Sequence, residues 1–282
     1  MASCADWQGA ISDADLAAKF ADYPHPVKIR NYQVDNRNIR YLEVGADTLP
    51  TTLLVHGAPS SLTGWMGYLT DSTITSRMRL VAVDRPGYGG SDFGKTVTSV
   101  RKQSRMLEPL LDSLEGATSL TVIGSSYGGT LSARLAMDYP ERFDRLVLIS
   151  ASLEPGQEKT YKISYYAAIP GIRSIVPTFL RLANEEKLSH YEQLVDMKPL
   201  WTRIHVPVTI LHGDADDLIY YDNALYARKL LTEADDVELI TVPKADHGLP
   251  WSHPELVKET MLKPLRAVPS DWQGISSPGA QE

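Results

Sequence analysis

The sequence is poor in cysteine: Cys4 is the only one among 282 residues. A single thiol cannot form a disulfide within the chain, so the fold must depend on a buried core and on hydrogen bonds. Only three residues precede Cys4, too few to contain the apolar stretch of a secretory signal. Two interpretations stay open. Either Cys4 is an isolated cysteine in a mobile terminus of a cytoplasmic protein, or it is the lipid-carrying first residue of a processed bacterial lipoprotein in the cell envelope.

The sequence also lacks long apolar runs and clusters of basic residues. No uninterrupted apolar run approaches the roughly 18 to 20 residues that span a bilayer, so we expect no membrane-spanning segment. The 28 lysines and arginines are scattered, and the net charge is −7. Nucleic acid is therefore not an expected partner. A chain of this length can bury one large core, which favours a single α/β domain with an insertion.

Short strands and amphipathic helices alternate through most of the chain. Val27 to Val34 and Asn38 to Val44 alternate apolar and polar residues around a tight turn, which predicts two antiparallel strands at a sheet edge. Continuous apolar runs predict strands that are covered on both faces. These runs are Thr52 to His56, Leu80 to Asp84, Leu120 to Gly124, Leu146 to Ser150, Val206 to His212 and Val237 to Val242. The predicted helices cover residues 12 to 22, Ser99 to Leu114, Tyr127 to Tyr139 and Asp222 to Leu231. This alternation predicts a mostly parallel sheet.

Residues 151 to 203 interrupt the alternation, because they contain no strand pattern and many aromatic and aliphatic side chains. A segment of that length is too long for a simple loop, so we expect a small helical cap over the sheet. The predicted organisation is an N-terminal segment with a short helix over 1 to 26, a core over 27 to 150 and 204 to 267, and the cap over 151 to 203. A flexible tail rich in Pro, Gly and Ser follows over 268 to 282.

A G-x-S-x-G motif, Gly124-Ser125-Ser126-Tyr127-Gly128, lies between a predicted strand and a predicted helix. In that context Ser126 stands at the apex of a strained turn, and the two glycines let strand and helix pass close together. The helix N-terminus behind Ser126 offers backbone N–H groups to an oxyanion, with Tyr127 N–H as the expected donor. The motif predicts that Ser126 is a nucleophile that attacks a carbonyl carbon.

A second oxyanion donor is expected from His56-Gly57-Ala58-Pro59, which follows a predicted strand. Ala58 N–H is the candidate donor. His56 could be a base, but its place at the strand end favours a role in bracing the loop. The peptide bond before Pro59 is a candidate for the cis form.

A serine hydroxyl needs a base, and the base needs a carboxylate that orients it. Where a G-x-S-x-G turn joins a strand to a helix, the three catalytic residues follow one another along the chain in the order serine, acid, histidine. Asp216 and His247 follow two successive predicted strands, and the carboxyl ends of strands are where such sites assemble. We assign Asp216 as the acid and His247 as the base. Asp214 and Asp217 are interpreted as turn or surface residues, and His253 as the start of the last helix.

From residue 27 to residue 266 the chain resembles the α/β-hydrolase superfamily, because four motifs match in order and spacing. They are His56 to Pro59, Asp84 to Ser91, the turn at Ser126, and Gly213 to Asp217 together with His247. The resemblance implies an eight-stranded, mostly parallel sheet flanked by helices and a Ser126-His247-Asp216 triad. It also implies that the loop from Asp84 to Ser91 braces the fold.

Two details refine the resemblance. Serine at position 126 argues against the epoxide hydrolases and haloalkane dehalogenases, which share the cap and the HG-x-P loop but use aspartate. Ser125 stands where the commoner G-H-S-x-G motif has histidine. The substrate of any one family with that motif therefore cannot be assigned to this chain. The chain is also similar to predicted hydrolase lipoproteins of Bacteroidetes in its lone cysteine and in the segment from Pro250 to Glu255.

The predicted reaction is acyl transfer to water without a metal or an organic cofactor. Trp65, Tyr165 and Phe179 are the candidates for an apolar substrate pocket, which favours a small to medium carboxylic ester. Cleavage of a lactone, thioester, amide or carbon–carbon bond would use the same triad. Some members of this fold are instead non-catalytic ligand-binding modules. The sequence leaves these alternatives and the oligomeric state open.

Overall fold

The computed structural model describes residues 11–157 and 159–263. Cys4 and the tail over 268 to 282 lie outside this part of the chain, so the interpretations of both stay predictions. The strands are β1 (Val27–Val34), β2 (Arg37–Val44), β3 (Thr51–Val55), β4 (Arg79–Val83), β5 (Leu120–Ser125), β6 (Arg145–Ile149), β7 (Val208–Gly213) and β8 (Val237–Val242).

These eight strands form one sheet in the order β1-β2-β4-β3-β5-β6-β7-β8. Strand β2 pairs antiparallel with both of its neighbours, and every other pair is parallel. The residues between β1 and β2, Asp35 and Asn36, have φ angles of 50° and 56°, as a tight two-residue hairpin turn requires. The predicted eight-stranded, mostly parallel sheet is confirmed.

Helices cover both faces of the sheet, and each predicted helical segment is helical with changed limits. The helices are α1 (Asp13–Ala18), α2 (Met66–Leu69), α3 (Ser72–Thr75), α4 (Val100–Met106), α5 (Glu108–Ser113), α6 (Tyr127–Asp138), α7 (Lys162–Ala167), α8 (Pro170–Arg173), α9 (Thr178–Met197), α10 (Asp222–Leu230), α11 (Leu249–Ser252) and α12 (Pro254–Leu262). The single helix predicted from Ser99 to Leu114 is two helices. Pro109 lies in the first turn of α5 and has no N–H to continue α4.

The core lies on both faces of the sheet because successive strand residues point to opposite sides. Val55 and Val122 pack in the cluster under α4, α5, α6 and α10, whereas Leu54 and Ile123 pack in the cluster under α1, α2 and α12. The central strands are buried throughout, as their apolar runs predicted. Strand β8 differs, since five of its six residues stay partly or fully exposed at the sheet edge.

The segment after β6 forms helices α7, α8 and α9 and a 3₁₀ turn, Lys198–Arg203, and contains no strand among its described residues. The end of this segment belongs to the core, because Leu194, Met197 and Trp201 are buried in the cluster under α6. The earlier part of the segment projects over the carboxyl ends of the strands, where it lines a cavity together with Ser126. None of the described helices is both long and apolar enough to cross a membrane.

Candidate active site

The loops that follow β3, β5, β7 and β8 meet at one edge of the sheet. Val55 at the end of β3 is paired with Gly124 of β5, and Gly213 at the end of β7 is paired with Val242 of β8. Parallel neighbours therefore end side by side, and the residues just beyond them are brought together. This is where the sequence predicted the functional side chains.

Ser126 stands in the turn between β5 and α6, with φ 57° and ψ −126°. A residue other than glycine rarely adopts this backbone conformation with positive φ, so the surrounding structure must hold Ser126 there. Glycine neighbours make the turn feasible. A Cβ at Gly124 would lie 2.2 Å from Gly128 O, and a Cβ at Gly128 would lie 2.2 Å from Val55 O. The strand and the helix thus pass at backbone contact, and the serine is raised above the sheet edge.

A chain of hydrogen bonds joins the three side chains that the sequence predicted as a triad. Asp216 Oδ2 lies 2.8 Å from His247 Nδ1, and His247 Nε2 lies 3.0 Å from Ser126 Oγ. With Nδ1–H donating to the carboxylate, Nε2 is free to accept the serine proton. This arrangement can activate the hydroxyl and can return the proton to a leaving group.

The side chain of Asp216 is fully buried and is held as an anion. The backbone N–H groups of Leu218 and Ile219 donate to its Oδ1 at 3.0 and 2.8 Å, and His212 Nε2 lies 3.5 Å from its Oδ2. Burial alone would raise the pKa of Asp216. The hydrogen bonds from His212, His247 and Ile219 outweigh burial and hold this pKa well below its usual range. A buried carboxylate that stays charged can stabilise an imidazolium next to it.

The other sequence candidates for acid and base lie in different surroundings. Asp214 accepts a hydrogen bond from Lys244 N–H at 2.6 Å and so shapes the turn. The side chain of Asp217 is 81% exposed and pairs with Lys159. His253 begins α12 and contacts its neighbour Ser252. The structure brings none of the three to Ser126.

The loop after β3 packs directly against the serine. A Cβ at Gly57 would lie 3.0 Å from Ser126 Cβ, so only glycine lets the loop come this close. Ala58 and Tyr127 both line the cavity at Ser126. Tyr127 is the first residue of α6, where an N–H has no acceptor within the helix. Both predicted oxyanion donors therefore border the same cavity as Ser126, and the Ala58-Pro59 bond is cis.

His56 braces this loop. Its Nε2 accepts a hydrogen bond from Arg85 N–H at 3.0 Å, which leaves Nδ1–H to donate to Gly57 O at 2.7 Å. Burial and the nearby Arg85 charge lower the pKa of His56 well below its usual range. The ring is neutral and both nitrogens are used, as the interpretation of His56 as a bracing residue requires.

A buried ion pair that sequence reasoning missed joins the cap to this loop. Arg85 Nη1 donates to Glu186 Oε1 of α9 at 2.7 Å, and both side chains are at most 1% exposed. Arg85 Nε also donates to His56 O at 2.9 Å, and its guanidinium lies 4.5 Å from the ring centres of Tyr88 and Tyr127. The cap helix is thereby fixed to the residues that surround the loop after β3.

The sequence did carry a signal for this pair. The buried residues of α9 recur at helical spacing, and two of the five are polar; they are Leu182, Glu186, His190, Leu194 and Met197. A glutamate and a histidine on an otherwise apolar helix face indicate buried polar partners. The His190 ring lies against the Tyr127 ring, with 4.8 Å between the ring centres. Burial is the main cause that lowers the pKa of His190 to about 3, and nearby positive charge lowers it further.

Two cavities meet at Ser126. The larger has a volume of about 650 Å³ and lies between the core and the cap, and the smaller has a volume of about 190 Å³. Ala58, Pro59 and Leu218 line both cavities, whereas His247 lines only the smaller one. The walls of the larger cavity are mainly apolar cap residues. Among these are Tyr161, Ile163, Ile172, Ile175, Val176 and Leu180.

Of the predicted pocket residues, Trp65 lines the smaller cavity and is nearly fully buried. The predictions for Tyr165 and Phe179 are wrong, because neither side chain lines either cavity. Helix α7 turns Ser164 and Ala167 inward, so Tyr165 points outward and is 62% exposed. The aromatic content of residues 151 to 203 indicated that this segment covers the site, but not which face of each helix lines the cavity.

The inward face of α9 has a simple spacing. The residues of this helix that line the larger cavity include Leu180, Ala183, Asn184 and Lys187, at intervals of three, one and three. Such positions share one side of a helix. A helical projection of the predicted cap would have separated these residues from Phe179.

The described residues contain no group of three or more His, Cys, Asp or Glu side chains that could hold a metal ion.

Comparison with known proteins agrees with the fold. Residues 52–260 match the sequence model of the alpha/beta hydrolase family. The chain is 27% identical to a poly(3-hydroxyalkanoate) depolymerase of Ectopseudomonas oleovorans, over 70% of this chain and 79% of that protein. It is 24% identical to a 2-hydroxy-6-oxononadienedioate/2-hydroxy-6-oxononatrienedioate hydrolase of Paraburkholderia phymatum, over 79% of this chain and 89% of that protein.

Solved structures show the same fold at low identity. The crystal structure of a carboxylesterase from Bacillus subtilis matches with a TM-score of 0.64 and 20% identity, over 87% of this chain and 94% of that chain. The family match spans most of the sequence, including the turn at Ser126 and the loops of Asp216 and His247. The chain belongs to the alpha/beta hydrolase family and is a hydrolase.

Proposed function

We propose that this hydrolase cleaves carboxylic esters through a serine acyl-enzyme. The observation that carries the proposal is the hydrogen-bond chain from Asp216 through His247 to Ser126, with distances of 2.8 and 3.0 Å. A hydroxyl in this arrangement becomes nucleophilic as its proton moves to the imidazole. The turn that places Ser126 at the N-terminus of α6 supports the proposal, because acyl transfer needs N–H donors next to the nucleophile.

The proposed mechanism has two halves. Ser126 Oγ attacks the ester carbon while His247 Nε2 takes its proton, and the N–H groups of Ala58 and Tyr127 stabilise the oxyanion. The carbon–oxygen bond to the alcohol then breaks, and His247 returns the proton to the departing oxygen. Water attacks the acyl-enzyme in the second half, with His247 as base, and releases the acid and Ser126. Asp216 stays ionised and stabilises the imidazolium in both halves.

The two cavities suggest how the ester is oriented. His247 must reach the leaving oxygen, and it lines only the smaller cavity. The alcohol therefore occupies the smaller cavity, and the acyl group occupies the larger, apolar cavity under the cap. The proposed substrate is an ester of an extended apolar acid with a small alcohol.

A carbon–carbon bond hydrolase is the second candidate, because the relative from Paraburkholderia phymatum is named for an oxo-dioate. Two carboxylates on a substrate need cationic or strongly donating partners. Within the described part of the chain, Lys187 is the one lysine or arginine that lines the larger cavity, and neither lines the smaller. The apolar walls favour the ester.

A panel of esters tests the proposal and the orientation together. One series varies the acid from acetate to dodecanoate as ethyl esters, and the other varies the alcohol of octanoate esters from ethanol to cyclohexanol. Release of acid is followed by titration, with Ser126→Ala as the control and a matched lactone and amide alongside. We expect kcat/KM to rise with acyl length, by up to about fourfold per methylene, and to fall for the bulky alcohol.

The outcomes of this panel separate the alternatives. No turnover of any ester would refute the ester hydrolase and favour a binding module. Faster turnover of the lactone or amide than of every ester would assign the triad to that bond. A dependence on alcohol length without one on acyl length would reverse the orientation.

A further inference from the structure

The cap carries an exposed apolar surface around the mouth of the larger cavity. Eight large apolar side chains between residues 161 and 180 are each more than 40% exposed, which is most of those in the described chain. They are Tyr161, Ile163, Tyr165, Tyr166, Ile169, Ile172, Ile175 and Leu180, and they define what we call the cap face. Ile175 is 80% exposed and Ile163 is 68% exposed. Exposed apolar surface concentrated in this way marks an interaction site.

The cap face continues into the catalytic cavity. Five of its residues also line the larger cavity that reaches Ser126; they are Tyr161, Ile163, Ile172, Ile175 and Leu180. An apolar chain could pass from the cap face to the serine along these side chains. A partner that supplies such a chain would therefore offer it to apolar side chains that lead towards Ser126.

The charge of this segment is opposite to that of the whole chain. Residues 159 to 184 contain Lys159, Lys162, Arg173 and Arg181 and no acidic residue, whereas the net charge of the chain is −7. Glu185 pairs with Arg173 and Arg181, and Asp217 pairs with Lys159. These partly exposed ion pairs leave the segment with a positive excess. Basic and aromatic residues around an apolar surface suit the interface of an anionic bilayer.

We propose that the cap face docks on an anionic phospholipid surface and places the mouth of the larger cavity against it. The delivery of an acyl chain to Ser126 rests on the proposed function, but the docking itself does not. A second copy of this chain fits the cap face less well, because two-fold pairing would bring its basic groups against each other. Anionic headgroups instead neutralise these groups.

Vesicle co-sedimentation tests docking without turnover, using the full chain with Ser126→Ala. The vesicles are equimolar phosphatidylglycerol and phosphatidylcholine, or phosphatidylcholine alone. We expect at least about tenfold stronger binding to the anionic vesicles, and weaker binding at high salt. Lys162→Gln should weaken binding to anionic vesicles by about fivefold and should not affect the neutral ones.

The apolar part of the cap face needs its own variant and a matched control. Tyr165→Ser combined with Tyr166→Ser removes two exposed rings that do not line either cavity, and should weaken binding by at least about tenfold. The control is Leu225→Ser on α10, which removes an apolar side chain of 45% exposure outside the cap face and should change binding less than about twofold. Thermal unfolding of each variant verifies that it is folded.

Three results would overturn the proposal. They are no binding to anionic vesicles, equal losses for the tyrosine and Leu225 variants, and a dimer in analytical ultracentrifugation that the tyrosine variant abolishes while vesicle binding is absent. The last result would assign the cap face to a second copy of the chain. If vesicles bind and no ester is cleaved, the docking proposal stands and the proposed function fails.

Discussion

Replacing Glu186 by glutamine removes the negative charge at the centre of the buried contact between cap and core. The carboxylate accepts hydrogen bonds from Arg85 Nη1 at 2.7 Å, Arg85 Nη2 at 3.1 Å, Tyr88 OH at 2.6 Å and Gln103 Nε2 at 2.8 Å. Burial is the largest single effect and lowers the pKa of Arg85, but the charge and hydrogen bond of Glu186, together with Tyr88 and Tyr127, outweigh it and raise this pKa. Arg85 therefore stays charged, and Glu186→Gln leaves a cation in the core without its counter-charge.

The size of the effect follows from that unpaired cation. Removal of one partner of a buried ion pair costs about 3–5 kcal/mol. For a chain near this length, such a loss lowers the midpoint of thermal unfolding by about 6–20 °C. We also expect kcat to fall by up to about 10²–10³-fold, because Arg85 holds His56 O and Gly57 O and so orients the Ala58 N–H.

Urea unfolding followed by tryptophan fluorescence measures the free energy of unfolding, and hydrolysis of ethyl octanoate measures kcat. Glu192→Gln on the same helix is the control, since Glu192 is exposed and should change stability by less than about 0.5 kcal/mol. The double variant Arg85→Met with Glu186→Leu removes both charges. It should recover much of the stability but not the activity, because the bonds to His56 O and Gly57 O are gone.

A loss of less than about 1 kcal/mol of stability in Glu186→Gln, or a loss no larger than that of Glu192→Gln, would contradict an unpaired Arg85 charge. Either result would mean that water or another group compensates the Arg85 charge. Recovery of full activity in the double variant would contradict the role of Arg85 in orienting the loop after β3, whatever the stability shows.

Three further predictions concern the site itself. Asp216→Asn should lower kcat by about 10⁴-fold without unfolding the protein, whereas Asp214→Asn should change kcat by less than about threefold; a reversed result in steady-state kinetics would reassign the acid. Gly57→Ala should lower kcat at least about tenfold, because its Cβ would lie 3.0 Å from Ser126 Cβ and displace the nucleophile; unchanged kcat would contradict this contact. The pKa of His190 is lowered from 6.5 to about 3, so the unfolded chain alone binds this proton between those pH values. His190 then contributes a loss of stability of about 1.4 kcal/mol per pH unit as the pH drops, and His190→Gln should reduce the slope by that amount in urea titrations; an identical slope would exclude a neutral buried His190.

The features that could be predicted from the sequence are those fixed by local rules. Ser126 lies between a strand and a helix because Gly124 and Gly128 permit the close crossing, and both glycines are readable in the motif. The order of the remaining residues indicated Asp216 and His247, and the sheet topology brings them to the serine. The central strands were equally readable, because residues buried on both faces leave uninterrupted apolar runs.

The cap was predictable as a helical segment but not as a surface. Whether Tyr165 or Ser164 faces the cavity depends on how α7 is rotated, and tertiary packing rather than composition sets that rotation. The Arg85–Glu186 pair joins residues 101 positions apart, and no local rule specifies such a contact. The same limit applies to β8, whose apolar run predicted full burial although its place at the sheet edge leaves it partly exposed.

The most direct test of the central claim is covalent labelling of Ser126. The wild-type chain is treated with a fluorophosphonate, and intact mass and peptide mapping locate the adduct. We expect one adduct per chain on Ser126, no adduct on Ser126→Ala, and labelling slowed by orders of magnitude in His247→Ala. An adduct on another residue, or no adduct on a folded wild-type chain, would contradict the assignment of Ser126 as the nucleophile.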